Sequence, residues 1–162
     1  MKFNSKDELK EISFEESEIL DFYMDNEKVE FRFNGATIRP GNSQNARFQD
    51  VYCGEIQLDL EGAKLARLVK EGMKYFDPDG KLLEEIPDQD IEGSDREEVF
   101  SRLKGGKVFT TVEAPVKEGY GIEWGIDLPR TEEPEEIDTY WLCFTYQSSR
   151  ASWDRYCGPA ES

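Results

Sequence analysis

Carboxylate side chains are the groups in this sequence whose number and spacing could do chemistry. The chain has 36 Asp and Glu residues against 20 Lys and Arg, and its formal net charge is -16 at pH 7. Carboxylates can bind a hard metal ion, work in pairs as acid and base, or dock the Lys and Arg side chains of a partner. The spacing of the carboxylates and the residues around them decide between these uses.

The carboxylates are densest in two runs. The first run lies within residues 84–98 and includes Glu84, Glu85, Asp88, Asp90 and Glu92. The second run consists of Glu132, Glu133, Glu135, Glu136 and Asp138. Burying unpaired carboxylates costs too much free energy, so we expect both runs at the surface. They are then either solvated faces or a docking surface for Lys and Arg on a basic protein.

The spacing gives little support to metal binding or catalysis. The segment 77–80 resembles the centre of an EF-hand loop, but Tyr75 and Ile86 would occupy its two essential ligand positions. The chain has no His, which excludes a Ser-His-Asp triad and histidine metal ligands. We therefore expect no metal, cofactor or catalytic residue. A carboxylate-dependent enzyme is kept as an alternative, with Glu123 as its most interesting single acid.

The cysteines do not indicate a disulfide framework. There are three of them, widely spaced: Cys53, Cys143 and Cys157. Cys53 and Cys143 lie in strand-like segments, so we expect them to be buried. Cys157 lies in a Cys-Gly-Pro turn and could be exposed, but no His is present to activate it as a nucleophile.

Aromatic residues offer another way to bind a partner. Trp153 lies among charged residues, so we expect it to be exposed and to anchor a partner protein. Trp124 follows the apolar face of its strand and is expected in the core. A row of exposed aromatics would instead indicate a carbohydrate binder, and the candidates for such a row are Trp124, Trp141, Trp153, Tyr120, Tyr140 and Tyr146.

The elements that must position these groups are mostly strands. Alternation of apolar and polar residues predicts a hairpin from residues 18–24 and 28–34, and strands at 108–112, 120–128 and 139–146. A last strand or turn could hold Trp153 and Tyr156. The apolar parity switches at Gly54, which predicts a β-bulge within a strand at 51–60. A turn is expected at 77–80.

Helices are expected at three places. The spacing of apolar residues over 62–76 favours a helix, with a continuing twisted strand as the alternative. A capping box at Ser94 and Glu97 and the glycines at 105–106 predict a helix over 95–104. A second capping box, at Ser5 and Glu8, predicts a short helix that ends near Glu11.

These elements predict an α+β fold in a single domain, residues 1–162. We expect a mainly antiparallel β-sheet of about six to seven strands with one or two short helices packed on it. The N-terminus has no signal-like apolar segment and the chain has no membrane-spanning run, so we expect a cytoplasmic protein, of bacterial type.

The expected function is to bind a basic protein rather than to catalyse a reaction. In size, acidity and β-rich organisation the chain is similar to the immunity proteins of polymorphic toxins, a diverse group with which it shares no motif. That similarity implies a partner that is a basic toxin, such as a nuclease. The alternatives are a nucleic-acid mimic that occupies a DNA- or RNA-binding protein, a carboxylate-dependent enzyme, and a small-ligand or carbohydrate binder. Direct nucleic-acid or membrane binding is not expected at this net charge.

Overall fold

Residues 1–159 are described by a computed structural model. Segments of alternating apolar and polar residues form most of its strands. One α-helix, α1, spans Asp95–Arg102, and a 3-10 turn spans Leu9–Glu11. The strands within these residues are β1 Phe3–Lys6, β2 Ile12–Ser13, β3 Glu18–Met24, β4 Lys28–Asn34, β5 Thr37–Ile38, β6 Val51–Tyr52, β7 Glu55–Glu61, β8 Lys64–Lys70, β9 Met73–Phe76, β10 Leu82–Ile86, β11 Gln89–Asp90, β12 Lys107–Glu113, β13 Tyr120–Pro129, β14 Ile137–Tyr146, β15 Ser148–Trp153 and β16 Gly158–Pro159.

Ten strands form the main sheet, and every neighbouring pair in it is antiparallel. Their order is β1-β15-β7-β4-β3-β12-β13-β14-β8-β11. A smaller sheet contains β16, β6, β5 and β2, and β9 and β10 pair only with each other. The prediction of a mainly antiparallel sheet is confirmed, but the main sheet has ten strands rather than six to seven.

Two long strand pairs bend the main sheet back on itself. β7 leads directly into β8, and β14 leads directly into β15, so residues 55–70 run alongside residues 140–153. The ribbon turns near Gly62 and Gln147, where the Gln147 amide donates to the Glu61 carbonyl at 2.9 Å. Each long strand therefore contributes to both halves of the sheet, which is one reason for the higher strand count.

The core lies between the two halves of the curved sheet. Phe31 of β4 packs against Trp124 of β13 at 5.0 Å between ring centroids and against Phe144 of β14 at 6.0 Å. In the sheet order, β4 and β13 are separated by β3 and β12, so these contacts cross the interior. The buried apolar residues form one contiguous cluster, and the burial of Trp124 predicted from its strand is confirmed.

Residues 62–76 are strand and not helix, so the favoured prediction was wrong there. β8 takes up residues 64–70 because it pairs with β14 on one side and β11 on the other. β9 then follows after Gly72. Pairing with these distant strands overrides the helical spacing of the apolar residues.

The N-terminal capping box also forms no α-helix. Ser5 lies in β1, which pairs with β15, and Asp7 has a positive φ of 54°. The Ser5 hydroxyl donates to the Glu8 carboxylate at 2.8 Å instead of to a backbone amide. The two side chains therefore tie β1 to the 3-10 turn rather than start a helix.

Three further local predictions are confirmed at least in part, and the prediction of a bulge at Gly54 is wrong. The β3–β4 hairpin, the turn at 77–80 and a helix at 95–104 are present, although α1 ends at Arg102 and Ser94 makes no side-chain cap. Gly54 has a φ of 71° and separates β6 from β7, which belong to different sheets. The parity switch thus marks a passage between two sheets rather than a bulge within one strand.

Among residues 1–159, none of the helical segments has the length and apolar character that crossing a membrane would require.

Candidate functional site

A hairpin that projects from the main sheet is the most unusual surface of this protein. We call it the arm; it consists of β9, β10 and the turn between them, residues 73–86. Every residue of both strands is exposed to solvent. Its register pairs Met73 with Ile86 and Phe76 with Leu82. A two-stranded sheet with nothing packed on either face is marginally stable in water.

At the base of the arm, the backbone segments that lead into it and out of it lie very close together. β8 and β11 pair through Lys70–Gln89 and Val69–Asp90, and the arm begins directly beyond them. The Gly72 amide donates to the Asp88 carboxylate at 2.7 Å. A Cβ atom at Gly72 would collide with the Ile86 carbonyl oxygen, so the two chains can approach this closely only at glycine.

The tip of the arm is a closed turn. The Asp77 carboxylate accepts the amides of Asp79 at 2.9 Å and Lys81 at 2.8 Å, and Gly80 takes a positive φ of 84°. Side-chain acceptors and a glycine at positive φ are what such a turn requires. The base and the tip are therefore both locally specified, although the strands between them are uncovered.

The arm exposes large apolar side chains on both of its faces. Met73, Tyr75 and Ile86 share one face, Phe76 and Leu82 share the other, and Leu83 lies at a register shift. Leu83 is the most exposed of them, at 66%. Apolar groups concentrated on a projecting element of a polar surface mark an interaction site.

Some carboxylates of the first acidic run form ion pairs or hydrogen bonds in the structure, and others form no ion pair within residues 1–159. Glu85 faces Lys74 across the arm at 3.8 Å, Asp90 pairs with Arg67 at 3.1 Å, and Asp88 holds the base of the arm. Glu84 lies opposite Tyr75. Within residues 1–159, Glu84 and Glu92 form no ion pair. Glu84 lies on the arm, whereas Glu92 follows β11 and lies away from the arm, since the Ile91 amide before it donates to the Leu68 carbonyl at 2.8 Å.

The second acidic run lies in the connection between β13 and β14, residues 131–136, which we call the acidic loop. Its four glutamates, Glu132, Glu133, Glu135 and Glu136, are exposed, and so is Ile137 just after it. The Glu71 amide donates to the Thr139 carbonyl at 2.8 Å, so the base of the arm lies beside the start of β14. Residues 84–90 of the first run and the acidic loop, 40 or more residues apart in sequence, thus lie at the same end of β14.

Asp138 is not part of that exposed surface, which corrects the prediction. Its side chain is buried and pairs with Arg130 at 2.9 Å, Arg102 at 3.2 Å and Lys70 at 3.9 Å. Burial alone would raise the pKa of this carboxyl, but the hydrogen bonds and positive charges outweigh it and lower the pKa. Asp138 therefore joins α1, β8 and the β13–β14 pair instead of facing a partner.

Trp153 is likewise not an exposed anchor. It is fully buried, with Phe3 stacked on it at 5.8 Å and Tyr156 edge-on at 6.2 Å. β15 alternates, so Ser149, Ala151 and Trp153 point inward while the charged neighbour Arg150 points outward. With Trp124 and Trp153 both in the core, the six candidate aromatics of the alternative carbohydrate-binding hypothesis do not form an exposed row.

Two cysteines and three carboxyl groups have shifted pKa values. Cys53 is buried, as predicted, and burial raises the pKa of its thiol to about 12. Cys143 is only half-buried, and Cys157 is exposed. Besides Asp138, the carboxyl groups of Glu8 and Asp25 have lowered pKa values. At Glu8, burial raises the pKa, but hydrogen bonds from Ser43 and Ser5 outweigh that effect. A carboxyl that donates a proton near neutral pH needs the opposite shift.

Neither a metal-binding group nor a known relative identifies the site. Among residues 1–159, no three His, Cys, Asp or Glu side chains converge into a group that could hold a metal ion. No family model, curated protein or solved structure matches the chain significantly.

The residues missed by sequence reasoning are the apolar side chains of the arm. The predicted helix over 62–76 contains Met73 and Phe76, and no sequence-based prediction gives Leu82, Leu83 or Ile86 a role. The turn signal at 77–80, with apolar residues on both sides, was the available indication of a hairpin.

Proposed function

We propose that this chain is an acidic protein-binding domain that neutralises a basic protein, as an immunity protein does with a toxin such as a nuclease. Its docking surface is the arm together with the acidic loop. The observation that supports this most strongly is the arm itself, which exposes six large apolar side chains beside uncompensated carboxylates.

The apolar side chains of the arm supply the part of the interface that must be desolvated. Phe76, Leu82 and Leu83 are each close to half exposed or more. A partner pocket that covers such groups gains binding free energy in proportion to the apolar area removed from water. A few central anchors of this kind carry most of the affinity in protein interfaces.

The carboxylates around the arm supply the charge that selects a basic partner. Glu84 and the glutamates of the acidic loop are exposed at the same end of β14. A negative field there speeds encounter with a positive surface and repels nucleic acid. A nuclease must carry a basic face for its substrate, so an acidic domain seated on that face blocks the substrate directly.

Affinity capture tests the proposal. The tagged chain is incubated with lysate of its native cell at low and at high salt, and retained proteins are identified by mass spectrometry. We expect one stoichiometric basic protein whose binding weakens with salt, and whose enzymatic activity falls in proportion to the added chain. A captured protein whose activity is unchanged at saturation contradicts neutralisation.

Matched variants assign the binding to the arm. In the purified complex, the double substitution Phe76→Ser and Leu83→Ser should weaken binding by about 100-fold or more, since two anchors are lost. The control is Tyr23→Ser on β3, a comparably exposed aromatic outside the arm. Equal losses from both variants would mean that the partner does not use the arm.

A further inference from the structure

Within residues 1–159, β12 pairs with β3 and the residues just before it only through its first two residues, and the rest of that edge of β12 is unpaired. Lys107 pairs with Glu18, and Val108 exchanges backbone hydrogen bonds with Ser17 and Glu16 at 3.0 and 2.8 Å. Beyond Val108, the described residues supply no further backbone partner on that side of β12. A β-bulge at Phe109 marks the point where the pairing stops.

The open edge presents the backbone groups of Thr111 and Glu113. The Ala114 amide donates to the Gly121 carbonyl of the neighbouring connection at 3.0 Å. Because backbone groups alternate in direction along an antiparallel strand, those of Val112 also face β13, whereas those of Thr111 and Glu113 face outward. The Thr111 hydroxyl also has no hydrogen-bond partner within residues 1–159.

A groove of about 830 Å³ lies against this open edge. One wall is the segment 7–15, and the other is the end of β12 with residues 114–116. Val112 and Val116 line it as exposed apolar groups, and so does Tyr120, which stacks on Tyr146 at 5.4 Å between ring centroids. The groove therefore combines an unpaired strand edge with apolar side chains, which is the arrangement that accepts an added strand.

The charges around the groove are mainly negative. Five carboxylates line it against two basic side chains, Lys10 and Arg39. Glu11 and Glu15 form no ion pair within the described chain, and Arg39 donates to the Lys10 carbonyl at 2.7 Å. Lys10 reaches Glu113 at 3.3 Å, but both side chains are more than two-thirds exposed, so this pair is weak and exchangeable.

We propose that this groove binds an extended basic peptide segment, which adds as a strand to the open edge of β12. The peptide exchanges backbone hydrogen bonds with Thr111 and Glu113. Its Lys or Arg side chains replace Lys10 beside Glu113 and reach Glu11 and Glu15, while its apolar residues cover Val112 and Tyr120. Edges of this kind are otherwise protected against pairing, and within residues 1–159 the group that covers this edge is the exposed Lys10–Glu113 ion pair.

The groove does not depend on the arm, so this inference goes beyond the proposed function. The groove adjoins the Tyr146 end of β14, and the arm adjoins the end that contains Tyr140. Six residues of strand separate these positions, or about 20 Å. One partner could occupy both surfaces, but each can be tested alone.

Synthetic peptides test the groove directly. The probe is a capped heptapeptide of alternating lysine and valine, compared with one of alternating glutamate and valine. We expect the lysine peptide to bind at least about tenfold more tightly. Nuclear magnetic resonance should show slowed hydrogen exchange at the Thr111 and Glu113 amides. Equal binding of the two peptides, or unchanged exchange at both amides, would overturn the proposal.

Backbone methylation separates strand addition from charge attraction. Two peptides are compared, one N-methylated at its odd positions and one at its even positions. One of them should no longer bind and the other should bind nearly as well as the unmethylated peptide, because only one set of peptide amides faces β12. Glu113→Pro removes an outward amide and should weaken binding well beyond the charge-matched control Glu113→Gln. Equal loss in both methylation parities would refute strand addition, even if the proline variant failed to fold.

The arm variant provides the final control. Phe76→Ser with Leu83→Ser should leave peptide binding unchanged. A comparable loss in that variant would assign the peptide to the arm and overturn the groove site. Conversely, loss of peptide binding with intact capture of a basic protein would leave the proposed function standing.

Discussion

The β3–β4 hairpin and the arm have the same local design but opposite surroundings. Both close with a turn in which an aspartate accepts two backbone amides: Asp25 in the first and Asp77 in the second. Both place apolar residues on their strands. Yet Val29, Phe31 and Phe33 are almost completely buried, whereas every strand residue of the arm is exposed.

Neighbouring strands account for the difference. β4 pairs with β7 and β3 with β12, so the first hairpin lies inside the sheet and one face of β4 is covered by β13 and β14. Within the part of the chain that the structure describes, no further strand pairs with the arm on either side. Turn chemistry and alternation are enough to specify a hairpin, and tertiary pairing decides whether its apolar residues serve the core or the surface.

The largest effect should come from comparing one phenylalanine on each hairpin. Phe31→Ala leaves a cavity among Phe33, Trp124 and Phe144, so the free energy of unfolding should fall by about 3–5 kcal/mol. Phe76→Ala on the arm should change it by less than about 0.5 kcal/mol. Urea unfolding measures both. A loss above about 1 kcal/mol for Phe76→Ala would show that the arm packs against the domain in solution.

A smaller effect is expected for carboxylates in the two regions. Asp138→Asn takes away the negative charge that Arg102, Arg130 and Lys70 share and leaves one side-chain oxygen as acceptor, and should cost about 1–3 kcal/mol at pH 7. Glu85→Gln breaks only the exposed pair with Lys74 and should cost less than about 0.5 kcal/mol. Similar costs for the two variants in urea unfolding would contradict this ranking.

The Asp138 effect should also depend on pH. Its pKa is lowered in the folded state, so its stabilisation is complete above the unfolded pKa of about 4 and disappears as the pH falls through the folded value. The groups that face it are Arg102, Arg130 and Lys70, with the Tyr140 hydroxyl bound to Arg102 at 3.2 Å. The difference between the native protein and Asp138→Asn should therefore shrink as the pH falls below 4.

The smallest effect on global stability is expected at the base of the arm. Gly72→Ala pushes against the Ile86 carbonyl, and the strain can be relieved by opening the arm alone. Hydrogen exchange of the arm amides should accelerate several-fold, while the urea midpoint changes little. The control is Glu71→Ala, one residue earlier, which should leave arm exchange as it is. Loss of global stability in Gly72→Ala would mean that the arm and the domain unfold together.

Local signals in the sequence were enough for much of the fold. The β3–β4 hairpin, α1 and the long strands β13 and β14 follow from alternation, turn residues and a glycine stop. The segment 62–76 was mispredicted because its apolar residues have helical spacing, whereas the strands that pair with β8 come from residues 89–90 and 140–145. No local pattern carries that information.

The candidate sites were harder to anticipate. The acidic runs were recognised, but their meeting at one end of β14 depends on the contact between Glu71 and Thr139. Trp153 was misjudged because its charged neighbours in sequence point away from it, and the inward parity of Ser149 and Ala151 was the better guide. The open edge of β12 is defined by where β3 stops pairing, which the sequence does not reveal.

The ribbon made by β7–β8 and β14–β15 has a consequence for how the chain folds. It joins residues 55–70 to residues 140–153, so the contacts that close the sheet span about 85 residues. Contacts this distant in sequence slow folding, because chain entropy is lost before they form. On the ribosome, the β3–β4 hairpin can form early, but the core between the two halves must wait for β14. We therefore expect nascent chains that stop before residue 137 to expose Phe31 and Phe33, and to need chaperones until β14 and β15 emerge.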